Sequence, residues 1–344
     1  MTGRETTLEV EVRSEKRSEA RRSEQPKGRR RTDFRRALQL GLAAVWLLDG
    51  ILQLQPVLFT AGPHGFSGML DNAASGNPHA LSQTITWNAS IVDHHAVATN
   101  SAFAFIQILI GLGIAWRPAV KPALASSIVW SLGVWWFGEG LGGVLHGAGT
   151  PIAGGPGAVL YYALLAVLLW PSDRADSMAW CAAARAVGVT AAKAIWVVVW
   201  FGLALLALIG SGRAPQGVHD LIDSLNVGEP GWLAAIDRHA ESVVANHGLT
   251  VALVFSVICV VVALGVFGPA PVARVTLVLA LVTAAVTWVI GQNFGMILAG
   301  GATDPNSGPL LILLALSYWP HVGRVDDPPI PVGGMAIEFS VKVA

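Results

Sequence analysis

Apolar residues gather in eight long runs, near 37–59, 98–115, 122–141, 152–170, 187–210, 247–267, 272–293 and 307–322. Each is long enough, or nearly so, to cross about 30 Å of hydrocarbon as a helix. The pattern predicts an all-α integral membrane protein with about eight transmembrane helices. The last run is the shortest, and a re-entrant or strongly tilted segment is the alternative there.

Composition agrees: 53% of the 344 residues are hydrophobic and 13% charged, with a mean hydropathy of +0.57. Charge is unevenly spread. Of 22 Lys and Arg, the first 36 positions hold Arg4, Arg13, Lys16, Arg17, Arg21, Arg22, Lys27, Arg29, Arg30, Arg31, Arg35 and Arg36. That basic tail has too few apolar residues to offset its ordering entropy and reads as disordered, with its last arginines near anionic lipid headgroups. A twin-arginine export signal is the rival reading, but the run from Ala37 to Phe59 exceeds a signal core and no A-x-A-like site follows.

With the amino terminus inside, Arg117, Lys121, Arg174, Arg185, Lys193 and Arg274 fall on the cytoplasmic side and only Arg213 and Arg238 in the long outer loops. The positive-inside rule then puts both termini in the cytoplasm of a multi-pass cell-membrane protein. Trp116, Trp170 and Trp319 close predicted cytoplasmic helix ends, where an amphipathic ring suits the headgroup layer.

The runs repeat, with the first four aligning on the last four at an offset of about 153 positions. Trp135, Gly138, Gly142, Leu145, Gly147, Thr150, Gly155 and Pro156 match Trp288, Gly291, Gly295, Leu298, Gly300, Thr303, Gly308 and Pro309. Trp170-Pro171 matches Trp319-Pro320 after a small deletion. Four spans per copy give parallel repeats, two four-helix bundles related by an axis along the membrane normal. The boundaries are a tail over 1–36, a first unit over 37–171, a linker over 172–186, a second unit over 187–322 and a C-terminal tail over 323–344. Gly138-x-x-x-Gly142 and Gly291-x-x-x-Gly295 read as small-residue faces for close helix packing, with close approach to a ligand as the alternative.

Three residues stand out as catalytic candidates: Asp49, Glu139 and His146. Asp49 sits near the middle of the first predicted helix, where an ionisable group costs at least about 2.5 kcal/mol and faces the bundle interior. It is either functional or a hydrogen-bonded tie between helices. Glu139, beside Gly138 and Gly140 near an outer helix end, has the partial desolvation that a proton carrier near neutral pH needs. An interfacial Glu that accepts a helix-end hydrogen bond is the structural alternative. Its repeat partner is Gln292, so proton chemistry is expected in the first half alone.

Eight of nine histidines, His64, His79, His94, His95, His146, His219, His239 and His247, fall outside, with His321 inside. His94, His95 and His146 are the weak candidates for a metal site, against ordinary solvated loop histidines, because no HxH or HxxxH spacing occurs. Cys181 and Cys259 form neither a disulfide framework nor a CxxC pair. Phosphate-cradling and nucleophile-elbow motifs are absent, which removes support for nucleotide-driven or hydrolase chemistry. The string HDLIDSL in the second outer loop reads as a short amphipathic helix at the interface. Nothing points to nucleic acid.

The second half, with GQNFGMILAGGATDPNSGPLLILLALSYWP, resembles the DoxX/DoxD family of four-helix membrane proteins through Asn293, Phe294, Leu298, Ala299, Gly300, Asn306, Gly308, Pro309, Leu310 and Leu311. The first half is similar more distantly, through Trp46-Leu47-Leu48-Asp49-Gly50 and Ile106 to Gly113. The resemblance implies thiosulfate:quinone oxidoreductase activity, with membrane quinone as the cofactor or substrate. The fused second unit and the basic tail depart from the family's pattern. Two other readings stand beside it: a permease for a small solute or metal ion, and a non-enzymatic scaffold with a membrane or periplasmic partner subunit.

Overall fold

A run of Leu, Val, Ile and Ala in hydrocarbon must satisfy its backbone groups internally, which a helix does within a single segment. The computed structural model describes residues 34–172, 180–226 and 228–320, and these form helices and turns with no strand among them. The basic tail up to Asp33, the C-terminal tail and part of the linker lie outside the described residues.

In the first half, α1 is Phe34–Leu52, α2 Phe66–Ala74, α3 His79–His94, α4 Ala96–Ala115, α5 Val120–Phe137 and α6 Ala158–Leu168. After the short α7 (Ala182–Val187) come α8 (Val189–Ile209), α9 (Gly217–Leu225), α10 (Gly231–Val244), α11 (Gly248–Gly265), α12 (Ala270–Val286) and α13 (Ser307–Ser317). Long helices and loop helices therefore recur in the same order.

Four helices are long and apolar enough to cross a membrane: α4, α8, α11, and α12 extended by a π-turn to Gly291. A fifth results if α5 and the turn over Gly140–His146, bent by 48°, count as one span. The other predicted runs are interrupted. Helix α1 carries Arg35, Arg36 and Asp49, and it ends at Leu52 because Pro56 disfavours helix before it. Asp49 thus lies in the last turn of α1, not at the middle of a span. Helices α6 and α13 have 11 residues each, about 16 Å of helix, because Gly and Pro break the chain before them.

The third run of each half ends in a left-handed turn: Leu141, Gly142 and Gly143 have φ of 54°, 62° and 70°, and Phe294 and Gly295 have 53° and 70°. The two GxxxG strings are therefore not helix faces. A Cβ on Gly142 would fall 2.1 Å from the Pro156 carbonyl oxygen, and one on Gly295 2.5 Å from the Pro305 carbonyl carbon. The Trp135 indole donates to Pro156 O at 2.6 Å and the Trp288 indole to Pro305 O at 2.8 Å. Pro156 therefore answers to Pro305 rather than to Pro309. The return segment spans 21 positions in the first half and 17 in the second, so the small deletion lies here.

The string HDLIDSL does form a helix, α9. Its apolar side, Val218 and Ile222, is buried against Ile152 and Val244, so it packs on protein.

Candidate functional site

Trp46 and Asp49 on α1 and Gln53 just past its end are spaced to share one face. Two of them are fixed. The Trp46 indole donates to Ser127 Oγ on α5 at 3.0 Å, and the Gln53 amide pairs with Asn100 on α4, whose Nδ2 donates back to Gln53 O at 2.8 Å. Asp49 between them is 2% exposed, sits beside the Tyr162 phenol, and has no donor for Oδ1.

Glu139 follows α5 at the break. Its Oε1 accepts one long hydrogen bond, from Val159 N–H at 3.4 Å, and its Oε2 is buried without a partner. The segment ahead of α6 presses on it: a Cβ on Gly157, where φ is 118°, would lie 2.2 Å from Oε2. Gly is needed there for both reasons.

Asp49 and Glu139 line the same cavity, of about 820 Å³. Asp304 joins them from the loop before α13, accepting from Asn306 N–H at 2.7 Å and from the Thr303 hydroxyl at 3.0 Å. The same loop is tied to the first half by Gln55 Nε2, which donates to Ala302 O, and by Asn306 Nδ2, which donates to Ala153 O. The rest of the wall is mainly aromatic and aliphatic, with Trp46, Phe66, Trp87, Phe103, Trp130 and Phe137 prominent. Gln107 Oε1 and Trp130 Nε1 are buried there without partners, as an acceptor and a donor open to a ligand.

The wall is open on one side. Ala125, Ser126 and Val129 line the cavity and are exposed, and they sit near the middle of α5. Val129 is 73% exposed. Where α5 and the turn after it count as one span, that position lies at hydrocarbon depth.

His146 does not belong to this site. It is exposed and its Nδ1 lies 3.2 Å from Asn77 Oδ1. His94 and His95 are also exposed, and the His94 ring bonds its own helix at Ser90 O. No group of three or more His, Cys, Asp or Glu among the described residues is arranged to hold a metal ion, so the three histidines do not form one. Asp304 is the lining residue that sequence reasoning missed; it sits in a loop among turn formers, and only the fold brings that loop back to α1.

No protein-family model, curated protein or solved structure matches the chain.

Proposed function

We propose that the chain is a quinone-linked membrane redox component whose cavity takes up a lipid-soluble quinone and whose Glu139 supplies protons to it. The observation that carries this reading is the mouth of the cavity at mid-α5: a ligand entering there comes from the lipid, not from water. A volume of about 820 Å³ falls within the range of about 300–1,000 Å³ usual for small-molecule sites, and an apolar wall with few polar groups suits an aromatic ring bearing carbonyls. Quinone reduction takes up two electrons and two protons. Glu139 and Asp49 are protonatable groups in the wall, and thiosulfate is the electron donor that the DoxX-like resemblance implies.

In this reading the two halves are parallel four-helix units crossing the cell membrane eight times, with both termini cytoplasmic and the basic tail on anionic lipid. Helices α6 and α13 complete their crossings with the irregular segments before them, which protein rather than lipid surrounds.

The test is reduction of a short-chain quinone by thiosulfate with purified protein in detergent. Turnover that Glu139→Gln abolishes is the expected result; turnover indifferent to it overturns the role of Glu139. Three carboxyls in one cavity favour a second reading, a permease for a cationic solute or metal ion. Proteoliposome flux lost on Asp49→Asn, without quinone turnover, decides for that one.

A further inference from the structure

A second cluster of buried polar groups lies away from the cavity, where the loop helices of the second half meet the turn after α12. Asn226 ends α9, Glu229 precedes α10, Asp237 and Glu241 lie on α10, and Asn293 lies in the turn. Asp237 and Asn293 are both fully buried at 0% exposure.

The two amides have spent their donors. Asn293 Nδ2 donates to Glu229 Oε2 at 2.6 Å and to Leu225 O at 3.1 Å, and Asn226 Nδ2 donates to Glu241 Oε1. What remains is a set of acceptors. Asn226 Oδ1, Asn293 Oδ1, Glu229 Oε1 and both oxygens of Asp237 are buried without a hydrogen-bond donor. No ion pair joins Glu229, Asp237 or Glu241 to a Lys or Arg among the described residues. Burial, a hydrogen bond shared with the Glu229 carboxyl and the charges of Glu229 and Glu241 push Asp237 up to about 7.

Buried acceptors and two adjacent carboxylates are strongly disfavoured without a partner, so a group carrying positive charge belongs among them. We propose that Glu229, Asp237, Asn226 and Asn293 form a binding site for a hard divalent cation of the calcium class. Every candidate ligand is oxygen, with no His or Cys, which suits Ca²⁺ rather than a transition metal. Two carboxylates balance its charge. Amide oxygens and, beside the half-buried Glu229 and Asn226, water fill the remaining positions. Glu241 acts through Asn226, whose amide it orients. Binding would clamp α9, α10 and the turn after α12 together.

Terbium tests this directly, because Trp232 packs against Phe294 with ring centroids 6.3 Å apart and so lies close enough to sensitise an ion beside Asn293. Full-length protein in detergent is titrated with Tb³⁺ at pH 7.5, then with Ca²⁺ and Mg²⁺ as competitors. The expected result is Trp-sensitised emission that Ca²⁺ displaces at lower concentration than Mg²⁺. Trp232→Phe lowers the emission, with Trp288, whose ring lies 5.0 Å from that of Phe294, supplying the remainder, while Ca²⁺-dependent thermal stabilisation is kept, and Asp237→Asn weakens Ca²⁺ at least tenfold. The overturning result is no sensitised emission and no Ca²⁺-dependent rise in Tm for the wild type. A Tm that then responds to pH alone assigns the cluster to a proton shared by Asp237 and Glu229. Both wild-type measurements stand even if Asp237→Asn fails to fold.

Discussion

The two halves build the same corner and finish it with different chemistry. After α5 and after α12 the chain turns left-handed, passes a Gly against a Pro and anchors it with a Trp indole, Trp135 to Pro156 and Trp288 to Pro305. In the second half Gln292 is satisfied at both ends: Nε2 donates to Ser307 Oγ at 2.9 Å and Oε1 accepts from Gly308 N–H at 3.1 Å. In the first, Glu139 holds one 3.4 Å bond and leaves Oε2 bare. Where the first and last helices of each half meet, Trp46 packs on Tyr162 and Trp196 on Tyr318, with centroids 4.5 and 4.6 Å apart. The Tyr318 hydroxyl donates to Ala192 O at 2.6 Å, whereas Tyr162 faces Asp49. At these two matching positions the second half is closed by neutral hydrogen bonds, whereas the first leaves Glu139 Oε2 and Asp49 Oδ1 open. Polar groups left bare at one corner while the matching corner satisfies them point to use rather than to structural need.

The largest expected effect separates Glu139 from Gln292. Glu139→Gln lowers quinone reduction at least about 100-fold, the usual scale for a lost general acid, with little change in Tm. Gln292→Glu does the reverse: it loses the donor to Ser307 and buries a carboxyl, costing about 2–4 kcal/mol, while activity per folded molecule stays within about threefold. Equal sensitivity of the two sites in the activity assay breaks the comparison.

Gly157→Ala comes next. The added Cβ meets Glu139 Oε2 and the Trp135 ring at a backbone angle that favours Gly, so a denaturant melt is expected to show a loss of about 2–3 kcal/mol, with the carboxyl displaced and turnover reduced. Wild-type behaviour in both assays contradicts the role given to this contact.

A smaller effect concerns pH. Asp237, outside the apolar spans, holds its proton more tightly folded than unfolded, with a folded value of about 7 against an ordinary 3.8. Its contribution is full below the unfolded value and is lost as pH rises through 7, so in chelator the wild-type Tm falls between about pH 4 and 7. Asp237→Asn flattens that slope; an unchanged slope assigns the titration elsewhere. Smallest is Tyr318→Phe, which removes one buried hydrogen bond and costs about 1 kcal/mol by denaturant melt. Tyr162→Phe costs less, and the opposite order undoes that part of the contrast.

Much of this was legible in the chain because hydropathy and repeat matching report local sequence. The apolar runs gave the helical class and the two candidate carboxyls, and aligning Glu139 on Gln292 exposed the asymmetry. What hydropathy could not report was where Gly and Pro break a run: 152–170 and 307–322 look like spans, yet only 11 residues of each coil into helix. The GxxxG strings misled because a glycine at a helix end serves a left-handed turn as readily as a packing face. Proximity was illegible as well. His146 is seven positions from Glu139 but exposed, while Asp304, from the other half, shares its cavity.

The most direct measurement is labelling with a lipid-soluble carbodiimide, which reacts with protonated carboxyls reached from the bilayer, followed by peptide mass spectrometry. The account predicts modification at Glu139 and Asp49 that a short-chain quinone suppresses. Modification confined to other carboxyls, or labelling of Glu139 that quinone leaves unchanged, would contradict it.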